Sequence, residues 1–447
     1  MDYQQCADIL AGLHRMPSAE RDARRGNLSA LLTALGHPQD GLRGAMVVGT
    51  NGKGSTAAFA VAALSATGQR VGSLPSPHLQ EPRERVRVDG RPVSRAEYAA
   101  ACTEVVAAIE EHDLPLSAAG MCTAVAAVHF RRACVTRVVA EASIGGRGAA
   151  VRALDLDVKV ITGVGLDHTD LLGDTLARIA TAKAGAVRDG EHVVLGRLHP
   201  EAQAAVEEVL ASRTGLTLWQ LGRQIHCTAR PGATAGAVVL DVATPRGEHR
   251  ALPCPLPGTH QHHNLALGLA TAAALAERGH AHTPTDELLR PALAATRWPG
   301  RLELLTDARL DGWHGRVLLD GAHNPQSVAT VTPEIERIAA AAGSTRTPPA
   351  AVVFAAMHGK DAPGMLALLP RPWPLVLTRT GSPDAADPAA LHGRLHPARR
   401  AGAVTAPDTG TALRRAAGLV GHGGLIVVLG SLRLVGESRT VLGLPPA

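Results

Sequence analysis

Ten residues, VVGTNGKGST (47–56), constrain this chain more than any others. An apolar, β-branched start runs into glycines around one lysine and then into Ser-Thr. That order reads as a strand that ends in a phosphate-binding turn and opens a helix. Glycines let backbone N–H groups approach phosphate oxygens, and the helix that follows adds the positive end of its dipole. Lys53 would put a full charge on the β- and γ-phosphates, and Ser55 or Thr56 could reach a metal or a phosphate. The strict GxxxxGKS spacing is not met, because position 47 is Val and Ser55 stands two places after the lysine. An ordinary glycine-rich turn is the competing explanation, and the flanking strand and helix argue against it.

The same alternation recurs along the chain. AMVVG (45–49), RVVAEA (137–142), VKVITGVG (158–165) and HVVLG (192–196) are short apolar runs followed by glycines and alanine-rich helical stretches. Strands alternating with helices imply an α/β fold, with a parallel sheet covered on both faces. The pattern restarts beyond residue 300 in RVLLDGAHN (316–324), AAVVFAAM (350–357), PLVLTRT (374–380) and GLIVVLGS (424–431). The fold class expected is therefore a P-loop parallel-sheet ATPase domain followed by a smaller, Rossmann-like α/β C-terminal domain. The break falls near TRWPGR (296–301), where Trp-Pro-Gly stops a helix, giving domains 1–296 and 297–447. Segment 225–256 reads as a β-rich excursion from the first domain, and alanine runs such as 339–342 as filler.

Composition excludes some functions. Aromatic residues are 2% of 447, too few for the stacked bases of a single-strand nucleic-acid groove. The net charge of +5 is modest and spread out, so small polyanions account for it and nucleic acid is not needed. The six cysteines form no CxxC pair, which argues against a zinc knuckle or disulfide framework and suits a reducing cytoplasm. No signal peptide and no membrane-spanning apolar stretch are expected.

A phosphate cradle calls for a metal. Ser76 in SPHL, Glu141 at the end of RVVAE and His168 in GVGLDHTD all stand where strands should end, the edge at which open parallel sheets bind ligands. Hard oxygen donors suit Mg²⁺. Singly, each has a structural explanation: a turn cap, an arginine partner, a satisfied loop histidine.

Together these stretches resemble the Mur ligase superfamily, and within it the folylpolyglutamate synthase/dihydrofolate synthase family. GTNGKGST is followed in order by SPHLQEPRERVRVDG, EASIGGRG, GLDHTDLLGDTLARIATAKAGAV, PGTHQHHNLALGLAT, WPGRLE, LLDGAHNP, MHGKD and GSLRLVGE, across nearly the whole chain. The resemblance implies an ATP- and Mg²⁺-dependent ligase. A carboxylic acid is phosphorylated by ATP, and the acyl phosphate is then attacked by the amine of L-glutamate. It also implies roles. Gly49, Asn51, Gly52, Lys53, Gly54 and Ser55 would hold the phosphates, and Asn264, Arg301 and Asp320 would contact ATP. Ser76, Glu141 and His168 would bind magnesium, joined by Lys183 as a carbamate. Lys53, Lys183 and His323 would serve catalysis, with His323, Lys360 and Ser431 near the amine or ATP. Without the resemblance, Lys183 reads as a surface lysine on an amphipathic helix. The first domain would then be the Mur-type ATP-binding domain and the second the amino-acid-ligase domain, in a cytoplasmic monomer.

The sequence departs from the family where a pterin should sit. After GGR the family continues Leu-Asp-Ala-Thr-Asn, whereas here Ala149 stands at the Asp position and Arg152 at the Asn. Ser117-Ala118-Ala119-Gly120 replaces an aromatic stretch, Arg21 to Gly26 replaces the N-terminal segment, and Pro82-Arg83 replaces Phe-Asn. Two acceptor classes follow: a folate held by other residues, or a non-pterin acid, with arginines 24, 25, 83 and 152 suited to extra negative charge. Two further alternatives are an inactive nucleotide-binding homologue and a P-loop kinase or ATPase. The second leaves DGAHN and GSLRLVGE unexplained.

Overall fold

The structure, a computed structural model, describes residues 1–14, 24, 26–233, 237–341 and 348–447. Of the Arg21–Gly26 replacement only Arg24 and Gly26 fall among these, and Ala342 also lies outside the described residues. The chain divides into two compact units, Met1–Pro255 with Thr259–Arg297, and Trp298–Ala447 with the short stretch Leu256–Gly258.

The first unit is built on eight strands: β1 (Arg43–Val48), β2 (Val71–Leu74), β3 (Arg87–Val88), β4 (Arg91–Pro92), β5 (Arg137–Glu141), β6 (Val158–Ile161), β7 (His192–Leu195) and β8 (Thr217–Gln220). Their spatial order is β4-β3-β2-β5-β1-β6-β7-β8. The strands from β2 to β8 run parallel, while β3 and β4 form an antiparallel edge. Covered on both faces, β2, β6 and β7 are buried along their whole length, so that even their polar residues, Ser73, Lys159 and His192, lie inside. The C-terminal ends of β1, β2, β5 and β6 lie side by side and open into loops, the place where such sheets collect ligands. A separate antiparallel sheet, β9 (His226–Pro231), β10 (Val238–Thr244) and β11 (Gly247–Pro253), accounts for the β-rich segment at 225–256.

Three helices of this unit carry the site. Helix α1 (Lys53–Ser65) follows β1 directly and is buried over most of its length. Helix α2 (Leu176–Ala184) is capped by the Thr175 side chain, which accepts from the N–H of Arg178. Helix α3 (His260–Glu277) packs closely on α1 because residue 268 is glycine. A Cβ there would stand 2.7 Å from the Cβ of Phe59 and 2.9 Å from the nitrogen of Ala60. This approach brings Asn264, one turn earlier on α3, to the start of α1.

The second unit has six strands: β12 (Glu303–Leu310), β13 (Trp313–Leu319), β14 (Ala350–Phe354), β15 (Leu375–Leu377), β16 (Ala403–Thr405) and β17 (Leu425–Leu429). Their order is β12-β13-β17-β14-β15-β16, parallel except for the β12–β13 hairpin. Its core is mostly aliphatic, with Leu318, Val352, Phe354, Leu377, Leu425 and Val427 among its buried residues. The last helix, α4 (Leu432–Val441), is capped by the Ser431 side chain on the N–H of Arg433.

Candidate active site

In the first unit the loop after β1 is shaped by backbone geometry. Gly52 has φ 83°, and a Cβ there would lie 2.5 Å from Oδ1 of Asn264. Only glycine meets both demands, a left-handed turn and a side chain packed against it. Asn264 is held in turn: its Nδ2 donates to Oε1 of Gln261 at 2.8 Å, and both residues are buried. Thr162, just past β6, donates from Oγ1 to the carbonyl of Asn51 at 2.6 Å. Thr50 bonds the Gly163–Gly165 strand end through its N–H and its hydroxyl. The loop is therefore pinned from β6 on one side and from α3 on the other. Gly54 and Ser55 sit buried in the first turn of α1, whose opening N–H groups and dipole favour an anion.

Charged groups converge on this loop. Lys53 Nζ donates to the carbonyl of Thr50 at 3.2 Å and stands 3.8 Å from Oε1 of Glu141, at the end of β5. The other carboxylate oxygen of Glu141 accepts the backbone N–H of Ser76 at 3.2 Å. Lys183, buried on α2, donates to the carbonyl of Gly49 at 2.9 Å. Burial, aided by repulsion from Lys53, brings its ammonium down to about 7 against the pull of Asp167. Asp167 is buried, and its Oδ1 accepts the backbone N–H of His168 at 2.9 Å. His168 takes a left-handed conformation, φ 51°, and is half-exposed. Lys53, Ser76, Glu141, Lys183 and Gly49 are thus brought into one group, with His168 attached through Asp167.

The donors present suit a hard divalent cation. Glu141 is a carboxylate already balanced by a cation 3.8 Å away, and its other oxygen accepts the backbone N–H of Ser76, which brings that residue and its hydroxyl to the same strand end. Among the described residues no cluster of three or more His, Cys, Asp or Glu could hold a metal by itself. Magnesium binding here would therefore draw on Ser76, Glu141, His168 and ligand phosphates, the mixed shell that Mg²⁺ accepts.

In the second unit, Asp320 directly follows β13 and is buried. Its two oxygens accept the N–H groups of Leu302 and Ala322, each at 2.8 Å. Burial raises its carboxyl, while Arg301 and those two N–H groups pull the other way. Nδ1 of His323 faces the carbonyl of Gly321 at 2.8 Å. A carbonyl can only accept, so that nitrogen is the donor. Arg301, Asp320 and His323 form one cluster on the turn and strand end of this unit.

Residues 300–432 match the family model described as Mur ligase, glutamate ligase domain. Over 97% of its length the chain is 31% identical to the dihydrofolate synthase/folylpolyglutamate synthase of Mycobacterium tuberculosis, covering 92% of that protein. The chain belongs to the dihydrofolate synthase/folylpolyglutamate synthase family. A Haloferax volcanii relative, a probable bifunctional folylpolyglutamate synthase/dihydropteroate synthase, is 31% identical over 98% of this chain, which spans only 50% of that longer protein. Among solved structures, the Mycobacterium tuberculosis folylpolyglutamate synthase complexed with ADP and AMPPCP superposes with a TM-score of 0.85. It is 28% identical, with 100% of each chain covered.

Several supports in this member of the family were not singled out from sequence. Asp167, beside Lys183, lay inside the quoted GLDHT stretch, and its acidity next to a histidine was the available signal. Thr162 and Gln261 carry no motif signal. The SPHL loop is held by buried Glu84, whose carboxylate accepts the N–H groups of Leu79, Gln80 and Glu81. Arg85 reaches Nδ1 of His78 at 2.9 Å and Oγ of Ser76 at 3.4 Å. Arg83, which the sequence offered to an acidic acceptor, is already engaged: it pairs with Glu81 at 2.6 Å and donates to the Val93 carbonyl at 2.9 Å. Arg152 is half-buried and donates to the Arg147 carbonyl at 3.3 Å.

Proposed function

We propose that this protein is an ATP-dependent carboxylate–amine ligase that adds L-glutamate to a folate-type acid. The observation that carries this is the pairing at Glu141. One of its oxygens faces the phosphate-loop lysine and the other holds the loop of Ser76, so a phosphate cradle and an oxygen-donor site share one carboxylate.

In the chemistry proposed, an acceptor carboxylate oxygen attacks the γ-phosphorus of ATP. The bond to the β-phosphate oxygen breaks and ADP leaves, giving an acyl phosphate. The glutamate amine attacks the acyl carbon, phosphate departs, and the amine loses its proton as the amide forms. Lys53 and the N–H groups of Gly52 to Ser55 stabilise charge on the phosphates during transfer, where positioning and electrostatics supply most of the catalysis. Asn264, Arg301 and Asp320 would contact ATP, and His323 would serve the amine. Magnesium, held by Ser76, Glu141, His168 and a carbamylated Lys183, would offset phosphate charge. Carbamylation needs a neutral amine, and a lysine at about 7 supplies one near neutrality. The acceptor and glutamate are the small-molecule partners, and neither nucleic acid nor membrane is required. None of the six cysteines is in a disulfide, which suits the cytoplasm, and we take a monomer as the working state. Among the described residues no helix is long and apolar enough to cross a membrane.

One observation favours a second acceptor, a non-pterin acid. Ala149 is buried in the same hydrophobic cluster as Ala118 and Met121, and residues 142–154 contain no carboxylate to hold an aminopyrimidinone edge. The test is ADP release with ATP, Mg²⁺ and L-glutamate, comparing dihydropteroate, tetrahydrofolate and no acceptor, with products weighed. Glutamylated pterin supports the folate acceptor. Turnover confined to other carboxylates supports the second, and ATP hydrolysis with no amide from any acid overturns the ligase assignment.

A further inference from the structure

The turn that presents Arg301 is held from outside by a buried arginine on the last helix. Gly300 and Leu302, on either side of Arg301, both have positive φ, 72° and 46°. For a buried leucine this conformation is strained, and it persists only if its surroundings over-determine it. Two carboxylates do so. Leu302 donates its N–H to Asp320 at 2.8 Å, and Gly300 donates its N–H to Oε2 of Glu303 at 2.8 Å. The Gly300 carbonyl accepts from the N–H of Gly321 at 3.0 Å and from Nη1 of Arg301 itself at 3.0 Å.

Asp320, directly after β13, is fixed by its N–H, which donates to the carbonyl of Val428 on β17 at 3.0 Å. Glu303 begins β12, and its other oxygen is taken by the guanidinium of Arg439 on α4. Arg439 is buried, and its Nη2 donates to the carbonyl of Pro445, past the end of that helix, at 2.8 Å. The segment between them is folded back on α4 by the N–H groups of Leu442, Gly443 and Leu444, which donate to Ser438, Thr440 and Arg439. A continuous chain of hydrogen bonds therefore runs from Pro445 through Arg439 and Glu303 to Gly300.

We infer that Arg439 and Glu303 are positioning residues that set the nucleotide-facing conformation of Arg301, with the C-terminal segment as their anchor. The inference rests on the proposal that Arg301 contacts ATP. A charge-assisted bond to Arg439 fixes the Glu303 carboxylate, and that carboxylate holds the Gly300 N–H, so losing the guanidinium would free the turn to leave its strained state. Arg439 itself touches no substrate.

The test is a double-mutant cycle with R439M and R301A, read as the dissociation constant and KM for ATP, the KM for glutamate, kcat and melting temperature. R439M is expected to raise the ATP constants about tenfold while kcat and the glutamate KM stay within about twofold, the pattern of lost uniform binding. R301A with R439M should bind ATP no worse than R301A alone, because one change acts through the other. R439K should restore part of the affinity. Should R439M prove unfolded, removal of residues 445–447 and E303Q address the same chain of bonds and are expected to weaken ATP in the same way. Multiplicative losses in the cycle, or a lower melting temperature with unchanged ATP affinity, overturn the inference alone. If R301A leaves ATP affinity untouched, the nucleotide role of Arg301 and the inference fall together.

Discussion

Lys183 on α2 and Gly49 at the end of β1 are joined by a 2.9 Å hydrogen bond from the lysine amine to the glycine carbonyl. That bond places a buried amine under the phosphate loop, where Lys53 repels its charged form. A lysine lowered to about 7 is half neutral near neutral pH, and a neutral amine is what carbon dioxide captures.

Replacing Lys183 by Ala is therefore expected to cost about two orders of magnitude in ligation, roughly the size of losing one oriented charged group. Nucleotide affinity should change far less, since Lys53 and the loop N–H groups remain. A carbamate on Lys183 would give a ¹³C NMR resonance after equilibration with labelled bicarbonate. A resonance present in the parent protein and missing in K183A supports the modification, and a parent spectrum without it sinks that part of the proposal.

Gly52→Ala should abolish nucleotide binding without unfolding the chain. The left-handed φ costs a non-glycine residue about 1–3 kcal/mol, and the added methyl would meet Asn264 at 2.5 Å. Calorimetric titration with ATP and a thermal melt check this together. Retained affinity would show that the loop can open around a Cβ.

The parallel sheets and the site loops were legible because most of the parallel strands are buried on both faces and several end in glycine-containing turns, whereas the partly exposed β8 and β16 gave no such run. The antiparallel hairpins escaped as well, β3–β4 entirely and β12–β13 in its first strand, since β13 is the run read in RVLLDGAHN (316–324). Both turn on an Asp-Gly pair, Asp89-Gly90 and Asp311-Gly312, with positive φ at both residues. That is a recognised hairpin signal, but β3 and β4 are two residues each and β12 is largely exposed, so neither shows a run of apolar residues. The roles of Lys183 and Asp320 came from resemblance alone. A lysine on a helix becomes buried only through tertiary packing, which periodicity does not report. The same holds for Glu303 and Arg439, paired across 136 residues.

Gly268→Ala sets two effects against each other. Alanine in mid-helix gains about 1 kcal/mol over glycine. The added methyl would press on Phe59 and Ala60 at 2.7 and 2.9 Å, and overpacking of this kind costs about 1–3 kcal/mol. The clash is with Phe59 Cβ and backbone, which cannot swing aside, so net destabilisation is expected. Since α3 also carries Asn264, the ATP KM should rise along with the fall in melting temperature. A stabilised variant with normal ATP affinity would show that the two helices separate without cost.

His192 predicts an acid-sensitive step in stability that has nothing to do with catalysis. It lies buried in β7 with its ring edge-on to Trp219, centroids 4.3 Å apart, and its Nε2 has no hydrogen-bond partner. Burial, with repulsion from Arg278, pushes the imidazole down to about 4. The unfolded chain, near 6.5, therefore binds a proton that the folded chain refuses. The stability this neutral histidine permits is complete above about pH 6.5 and drains away as the pH falls toward 4, by at most about 1.4 kcal/mol per pH unit. In H192F, which keeps an aromatic ring but has no titratable nitrogen, urea unfolding free energies between pH 7 and 5 should lose less than those of the parent. Equal slopes in the two proteins would mean that the parent's ring takes up its proton while folded.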